Sequence, residues 1–298
     1  MKKIFILLPL LFILTGCNSY IELNELGIIN IISIEKNNND YKLNASIIED
    51  VEKNGTPISK IYESNGKTIF EAIDNLGNSL NKKIYLSHLD LLIINETIKT
   101  NELEEIINYF LNNNESRNNF LIVNTNNTND VINNTTWQEI NNLIKLNEKE
   151  NSKAIYTTMY DLINNYYKKE PIYLTNIDFN NKIFINGITK LYNNKYSLIE
   201  DKDTIFINYL LNNINTYKIN FDCSDNKYLY LNILTSNTNN INNKIIITNE
   251  IKVITNDCNL DKKKINNMFN SYLKDNIKKY TNKNIIIQNT IRSIYENN

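Results

Sequence analysis

A short motif near the amino terminus carries the clearest chemistry in the sequence. Leu14-Thr15-Gly16-Cys17 closes an apolar run over residues 4–14, and Lys2 and Lys3 precede that run. A basic start, an apolar stretch and small residues before a cysteine are typical of a lipoprotein signal peptide. The thiol of Cys17 would then take a diacylglyceryl group as a thioether, and its amino group would be acylated after cleavage. We therefore expect residues 1–16 to be removed and Cys17 to anchor the chain in a membrane.

The length of the apolar run favours cleavage over retention. A hydrocarbon layer of roughly 30 Å needs a longer helix than residues 4–14 can form. The alternative is an ordinary signal peptide in which Cys17 is incidental. The order of leucine, small residue, glycine and cysteine at the end of the run disfavours that alternative.

Few other side chains are candidates for chemistry. Cys223 and Cys258 could form a disulfide outside the cytosol or remain free thiols. The only histidine is His88, so a zinc site of the Cys/His type cannot be built. His88 falls in an apolar, strand-like segment, where we expect a hydrogen-bonded structural histidine rather than a general base.

Pairs of acidic residues have equally simple interpretations. Glu104 with Glu105, and Asp201 with Asp203, are most simply charges at helix starts or on solvated faces. The sequence contains no Walker A, GxGxxG, HExxH or GxSxG motif. We therefore expect no catalytic residue, no metal site and no cofactor.

Composition narrows the classes of partner. The 298 residues carry a net charge of −1, which becomes −3 when Lys2 and Lys3 are removed. No basic stripe is left for nucleic acid. Asparagine makes up about a fifth of the chain and is spread through periodic apolar segments, which indicates AT-rich codon usage rather than a prion-like tract. Nineteen tyrosines suggest contact surface as well as core.

Hydrophobic periodicity in the first half predicts strands alternating with helices, and this order is typical of an α/β layered domain. The helix after Gly66 should turn Phe70 and Ile73 towards the sheet. The predicted strands are 26–34, 41–48, 84–94 and 120–123, and the second helix buries Leu103, Ile106, Ile107, Phe110 and Leu111.

The second half continues the same alternation. Thr136 and Glu139 have capping-box spacing at the start of a helix. The predicted helices are 136–149, 154–167, 203–214 with Ile205, Leu210 and Leu211 inward, and 260–280; the predicted strands are 182–192, 196–199, 217–223, 228–234, 245–254 and 285–291. We expect an α/β (α+β) chain of several domains, each a mostly antiparallel or mixed sheet packed with helices. The predicted divisions are 17–170, a small middle domain 171–221, and 222–298.

Three blocks of the sequence resemble a known family. They are the segment after Cys17 with Glu22-Leu23-Asn24-Glu25-Leu26-Gly27, the segment Gly66-Lys67-Thr68-Ile69-Phe70-Glu71-Ala72-Ile73, and the segment from Leu86-Ser87-His88 to Ile94. In this order they are similar to the Ger(x)C family, the lipoprotein C subunits of spore germination receptors. Phe184-Ile185-Asn186-Gly187 continues the likeness more weakly.

The chain also departs from the family pattern. Asn18 stands where the family usually has tryptophan, and Asn112-Asn113 where it has Arg-Asp. The family's glycine-rich segment near the last helix is not found before Asn298. We therefore expect a truncated or divergent C-terminal domain.

The resemblance implies a function without catalysis. It implies a lipid-anchored subunit of a germinant receptor on the extracytoplasmic face of the spore inner membrane, acting with multi-pass A-type and B-type subunits. The alternative is a lipid-anchored extracytoplasmic protein that binds a small solute by itself. An enzyme is the third and most remote interpretation.

Overall fold

The computed structural model describes residues 22, 25–51, 57–193, 195–224 and 227–292. The strands are β1 Leu26–Asn37, β2 Asp40–Val51, β3 Pro57–Gly66, β4 Lys83–Tyr85, β5 Leu91–Asn95, β6 Leu121–Thr125, β7 Ile172–Asn180, β8 Lys182–Tyr192, β9 Lys195–Glu200, β10 Tyr217–Ser224, β11 Lys227–Ile241, β12 Lys244–Asn256 and β13 Asn284–Arg292. The helices are α1 Ile69–Leu80, α2 Thr100–Asn112, α3 Thr128–Asn134, α4 Trp137–Leu146, α5 Met159–Tyr167, α6 Asp201–Leu210 and α7 Lys262–Ile277, with a π-turn at Asn147–Asn151.

The described residues form two sheets. The first has nine strands in the order β3-β2-β1-β5-β6-β7-β8-β9, with β4 also paired to β1, and the second is β10-β11-β12-β13. Both contain parallel and antiparallel pairs. The predicted α/β (α+β) class with mixed sheets and packed helices is therefore confirmed.

The first sheet is covered by helices on both faces. Every residue of β5 and β6 is buried, as expected for central parallel strands. On one face α1, α2 and α5 contribute to a single apolar cluster, and on the other α3 and α4 contribute to a second cluster. The result is a three-layer α/β/α unit.

Helix α1 shows where the prediction from periodicity was too coarse. Thr68 caps its start by accepting a hydrogen bond from the Glu71 amide at 3.1 Å. The buried stripe is Ile69, Ala72, Ile73 and Leu76. Ile73 faces the core as predicted, but Phe70 is 70% exposed. The prediction for Phe70 was wrong because a turn of about 100° per residue carries the position after Ile69 off the stripe.

Two other apolar side chains were also placed wrongly. Leu111 and Leu211 are exposed, at 42% and 43%. Leu111 follows the buried Phe110 and lies off the apolar stripe of α2, and Leu211 lies just after the last residue of α6. Helix α6 ends at Leu210 rather than at 214, because Asn212 adopts a left-handed conformation with φ of 56°.

The predicted strand 84–94 is divided into β4 and β5. Leu86 and Leu89 turn inward between them, and the Leu89 amide donates to the Leu86 carbonyl at 3.0 Å. The antiparallel pairing of β1 with β2 shifts register between Ile29 and Ile31. On its other side, β1 pairs first with β4 and then with β5, and the turn that connects β4 to β5 carries His88.

Two strands had no counterpart in the prediction, β3 and β7. Strand β3 is the edge strand next to β2. Its composition is polar, so it lacks the alternation of apolar residues by which the other strands were predicted. Strand β7 joins β6 through one parallel pair, Asn124 with Asn176. The Asn176 side-chain amide donates to Asn124 Oδ1 at 2.9 Å, and the Thr189 hydroxyl donates to the same oxygen at 2.8 Å. Buried side-chain hydrogen bonds thus supplement the ladder where it is shortest.

The other predicted elements agree with the structure within a few residues, with two exceptions: α5 begins at Met159 rather than 154, and β11 continues to Ile241 rather than ending at 234. The capping box of Thr136 and Glu139 is confirmed at the start of α4. Strands β7 to β9, from the expected middle domain 171–221, are hydrogen-bonded into the first sheet. How the chain divides into folding units stays a prediction.

Close backbone contacts explain two glycines of the family-like segments. A Cβ at Gly66 would lie 2.4 Å from the amide nitrogen of Ala72, so a side chain there would push α1 away from β3. Gly187 has φ of +123° and faces the carbonyl of Ile199. Elsewhere asparagine supplies most of the left-handed residues, as at Asn38 and Asn81, because its short polar side chain tolerates that conformation.

Two phenylalanines of the helix layer make a matched test of this packing. Phe110 is 1% exposed and its ring centroid lies 5.0 Å from that of Phe120. Phe110→Ala should lower the free energy of unfolding by about 3 to 5 kcal/mol. Phe70→Ala should change it by less than about 0.5 kcal/mol. Denaturant melts of both variants measure the difference, and equal losses would refute the assignment of the two faces of the helix layer.

Candidate functional site

The predicted acceptor Cys17 lies outside the described residues, but the structure shows where the chain that follows it enters the fold. Leu26, the first residue of β1, pairs with Lys83 of β4. We call the surface around this point the anchored edge: Leu26, Lys82, Lys83, Tyr85, His88, Glu115, Arg117, Asn118 and Tyr160. It lies at the amino-terminal ends of the parallel strands of the first sheet.

Specific contacts hold the anchored edge together. Lys83 Nζ lies 2.8 Å from Glu115 Oε1. The Ser87 hydroxyl donates to the carbonyl of Glu115 at 2.8 Å, which ties the turn after β4 to the loop after α2. Further along that loop, the carbonyl of Asn118 accepts from the Tyr160 amide at 2.8 Å. Three separate segments therefore form one continuous surface.

His88 is exposed in the turn between β4 and β5, not in a strand as predicted. Its ring lies 6.0 Å from that of Tyr85, centroid to centroid. Burial raises the pKa of the nearby Asp90 carboxyl, and the charge of His88 lowers it in part. The adjacent Ser87 hydroxyl is engaged with a backbone carbonyl, so this turn does not form a serine-histidine pair.

The first acidic pair has structural partners. Glu105 accepts from the Tyr41 hydroxyl and from the Ile69 amide, both at 2.8 Å, and so joins α2 to β2 and to the start of α1. Burial and the bond to Glu105 raise the pKa of Tyr41. Glu104 accepts from the Tyr166 hydroxyl at 2.8 Å. The sequence suggested solvated charges, whereas in the structure both carboxylates connect one secondary-structure element to another.

The second acidic pair lies at the start of α6. Lys153 Nζ contacts Asp201 Oδ2 at 2.7 Å, and the Tyr280 hydroxyl donates to Asp203 Oδ2 at 2.9 Å. Burial and the bond to Asp203 raise the pKa of Tyr280 to about 12. The arrangement fits a helix-start contact rather than acid-base catalysis.

A cleft of about 750 Å³ opens between the two sheets. Tyr156, Tyr173 and Tyr280 contribute rings to it, and Leu210 and Ile245 contribute aliphatic surface. Its polar lining includes Glu148, Asp161, Asn165, Glu170, Asn212, Asn213, Asn240 and Lys283. The volume lies within the range of about 300 to 1,000 Å³ that small-molecule sites occupy. Sequence reasoning missed it because its lining comes from segments more than a hundred residues apart.

A second groove, of about 660 Å³, runs along α1 and the end of α2. Phe70, Ile73 and Tyr109 line it on one side, and Lys82 and Glu115 lie at its other end. Burial raises the pKa of Tyr109 to about 12, so its hydroxyl stays protonated at neutral pH. The groove therefore combines an exposed aromatic ring with polar ends.

The structure joins Cys223 and Cys258 in a disulfide, with Cα atoms 6.0 Å apart. Cys223 lies on β10, and Cys258 lies in the turn between β12 and α7. The bond links β10, an edge strand of the second sheet, to the segment that precedes α7. Pairing of these thiols in the protein stays a prediction, tested below.

Two features are absent from the described residues. No helix among them is long and apolar enough to cross a membrane. They also contain no group of three or more histidine, cysteine, aspartate or glutamate side chains that could hold a metal ion.

Comparisons with known proteins agree with the family-like segments. Residues 19–178, more than half of the chain, match the model of the spore germination protein N-terminal domain. Residues 1–18 match that of the prokaryotic membrane lipoprotein lipid attachment site. No curated protein matches the chain. A solved structure titled as the crystal structure of the GerBC protein is similar at 14% identity, covering 88% of this chain and 96% of that one with a TM-score of 0.52. This likeness shows a shared fold.

The disulfide can be tested by replacing both cysteines. A bond that closes a 35-residue separation should contribute about 4 kcal/mol by restricting the unfolded chain. The variant Cys223→Ser with Cys258→Ser should therefore unfold at a lower denaturant concentration than the oxidised wild type. Mass spectrometry of the alkylated, unreduced protein gives the direct readout. Two free thiols in protein from the extracytoplasmic face would contradict the pairing.

Proposed function

The chain belongs to the spore germination proteins defined by this N-terminal domain, and from that premise we propose that it is a non-enzymatic, lipid-anchored subunit of a nutrient germinant receptor. Cys17 carries the lipid. The protein is held on the extracytoplasmic face of the spore inner membrane, where it acts with multi-pass A-type and B-type receptor subunits.

One observation carries this proposal: the lipid attachment match ends at residue 18 and the germination domain begins at residue 19. An anchor that leads directly into a folded domain keeps that domain close to the bilayer. Proteins embedded in the same bilayer are then within reach, and confinement to one surface raises the effective concentration of the partners.

The carboxylates support a binding role over a catalytic one. Glu105 accepts two hydrogen bonds that join three elements, and Asp201 and Asp203 join α6 to its neighbours. A general acid or base needs a substrate within hydrogen-bond reach and a pKa suited to proton transfer. These groups instead hold neighbouring elements together. A rigid fold of this kind suits a protein that acts by binding other proteins through its surface.

The cleft between the sheets favours a second candidate function, the capture of a small solute. Its tyrosine rings and asparagine amides could contact a polar organic molecule from both sheets. Neighbouring genes discriminate between the two functions: genes for two receptor membrane subunits support the first, and transporter permease genes support the second.

The receptor proposal is tested with three strains: a deletion, Cys17→Ser, and His88→Gln. Deletion should abolish germination in response to one class of nutrient, while agents that bypass receptors still trigger it. Cys17→Ser should have a similar effect, because the thioether cannot form and the protein leaves the membrane fraction. His88→Gln should leave folding and lipid anchoring unchanged, because that side chain is exposed in a turn and Cys17 carries the anchor.

Loss of absorbance in spore suspensions measures germination, and immunoblots of washed spore membranes measure anchoring. Normal nutrient responses in a deletion strain without a paralogue would contradict the receptor role. Retention of the Cys17→Ser protein through salt and carbonate washes would contradict lipid anchoring at this residue.

A further inference from the structure

The anchored edge has the composition of a surface that meets lipid headgroups. Tyr160 is 63% exposed, and His88 and Arg117 are also exposed. Within the described ranges, the side chains of Lys82 and Arg117 have no carboxylate partner, whereas Lys83 is paired with Glu115. Tyrosine rings with nearby cations are typical of protein surfaces at the membrane-water interface.

The anchor limits how far this edge can be from the bilayer. Nine residue steps separate Cys17 from Leu26, which gives a reach of at most about 30 Å. Leu26 is itself part of the anchored edge, because it pairs with Lys83. Within that reach, this edge is the part of the first sheet that is nearest to the anchor along the chain.

The opposite end of the helix layer lies far from the tether. Gly66 pairs with Tyr41, and Tyr41 pairs with Lys36 near the carboxyl end of β1. Phe70 follows Gly66 by four residues and therefore lies at that far end. The 12 residues of α1 span about 18 Å on the way back to Lys82.

We propose that the anchored edge is a second membrane contact, in which Tyr160 and His88 lie among phospholipid headgroups and Lys82 and Arg117 bind their phosphates. The proposal rests on the lipid anchor at Cys17 and adds an orientation to it. The first sheet stands with the amino-terminal ends of its parallel strands on the bilayer, and Phe70 points away from it. Glu22 and Glu25 precede β1, and their negative charges offset part of the positive charge of Lys82 and Arg117. Charge attraction alone is therefore weak, and the aromatic ring of Tyr160 adds to membrane binding.

Fluorescence quenching tests this orientation in the full lipidated protein. Trp137 is the only tryptophan, so Trp137→Phe gives a silent background. Tyr160→Trp and Phe70→Trp each place one fluorophore at an exposed aromatic position at one end of the unit. The proteins are reconstituted in vesicles of phosphatidylglycerol and phosphatidylcholine, with and without brominated lipid.

Bromolipid should strongly quench the Tyr160→Trp variant and leave the Phe70→Trp variant close to its emission in unbrominated vesicles. Adding Lys82→Glu and Arg117→Glu to the first variant should reduce quenching, and Lys67→Glu at the far end should not. Equal quenching at both positions, quenching at Phe70 alone, or none at either would overturn the orientation. Quenching unaffected by the charge reversals would overturn phosphate binding.

Failure of the anchor gives a different result. A mature protein without lipid mass at Cys17, or one that leaves the vesicles on flotation, would refute the anchor itself. A protein that floats with the vesicles while its Tyr160→Trp variant stays unquenched would refute only the orientation.

Discussion

The burial of α6 is the constraint on which the arrangement of the two sheets depends. Six consecutive residues of this helix, from Thr204 to Tyr209, are buried, and a helix that is enclosed on all sides must lie inside a core. Phe206 and Tyr209 belong to the cluster of the second sheet, and Ile207 packs with Ile188 and Ile199 of the first. One short helix therefore contributes to both cores.

Hydrogen bonds make this junction specific. The side-chain amide of Asn208, which is fully buried, donates to the carbonyls of Ser152 at 2.7 Å and Ala154 at 3.1 Å. The next residue of α6, Tyr209, shares a 3.0 Å hydrogen bond with Tyr217 of β10. An unpaired buried amide would cost about 1 to 3 kcal/mol, so alternative placements of α6 are disfavoured. The cleft between the sheets lies beside this packing, since Leu210, Asn212 and Asn213 at the end of α6 line it.

Sequence reasoning succeeded where a local rule decides the outcome. The Thr136 capping box follows from spacing alone, and the periodicity of the apolar residues predicted the fold class. It failed where tertiary contacts decide. Phe70 matched an apolar pattern but lies beside the buried stripe, and His88 sits in a turn created by the shift of β1 from β4 to β5. Strand β3 became visible only through its pairing with β2. The cleft had no sequence signal, because residues as distant as Glu148 and Lys283 line it together.

The claim that α6 makes one body of the two sheets is tested most directly by calorimetry of the mature chain. Shared burial predicts a single transition whose calorimetric enthalpy equals its van't Hoff enthalpy. Asn208→Ala should move that transition to lower temperature without dividing it. Two separable transitions in the wild type, with only one of them shifted by Asn208→Ala, would show that the sheets fold independently and would contradict the account.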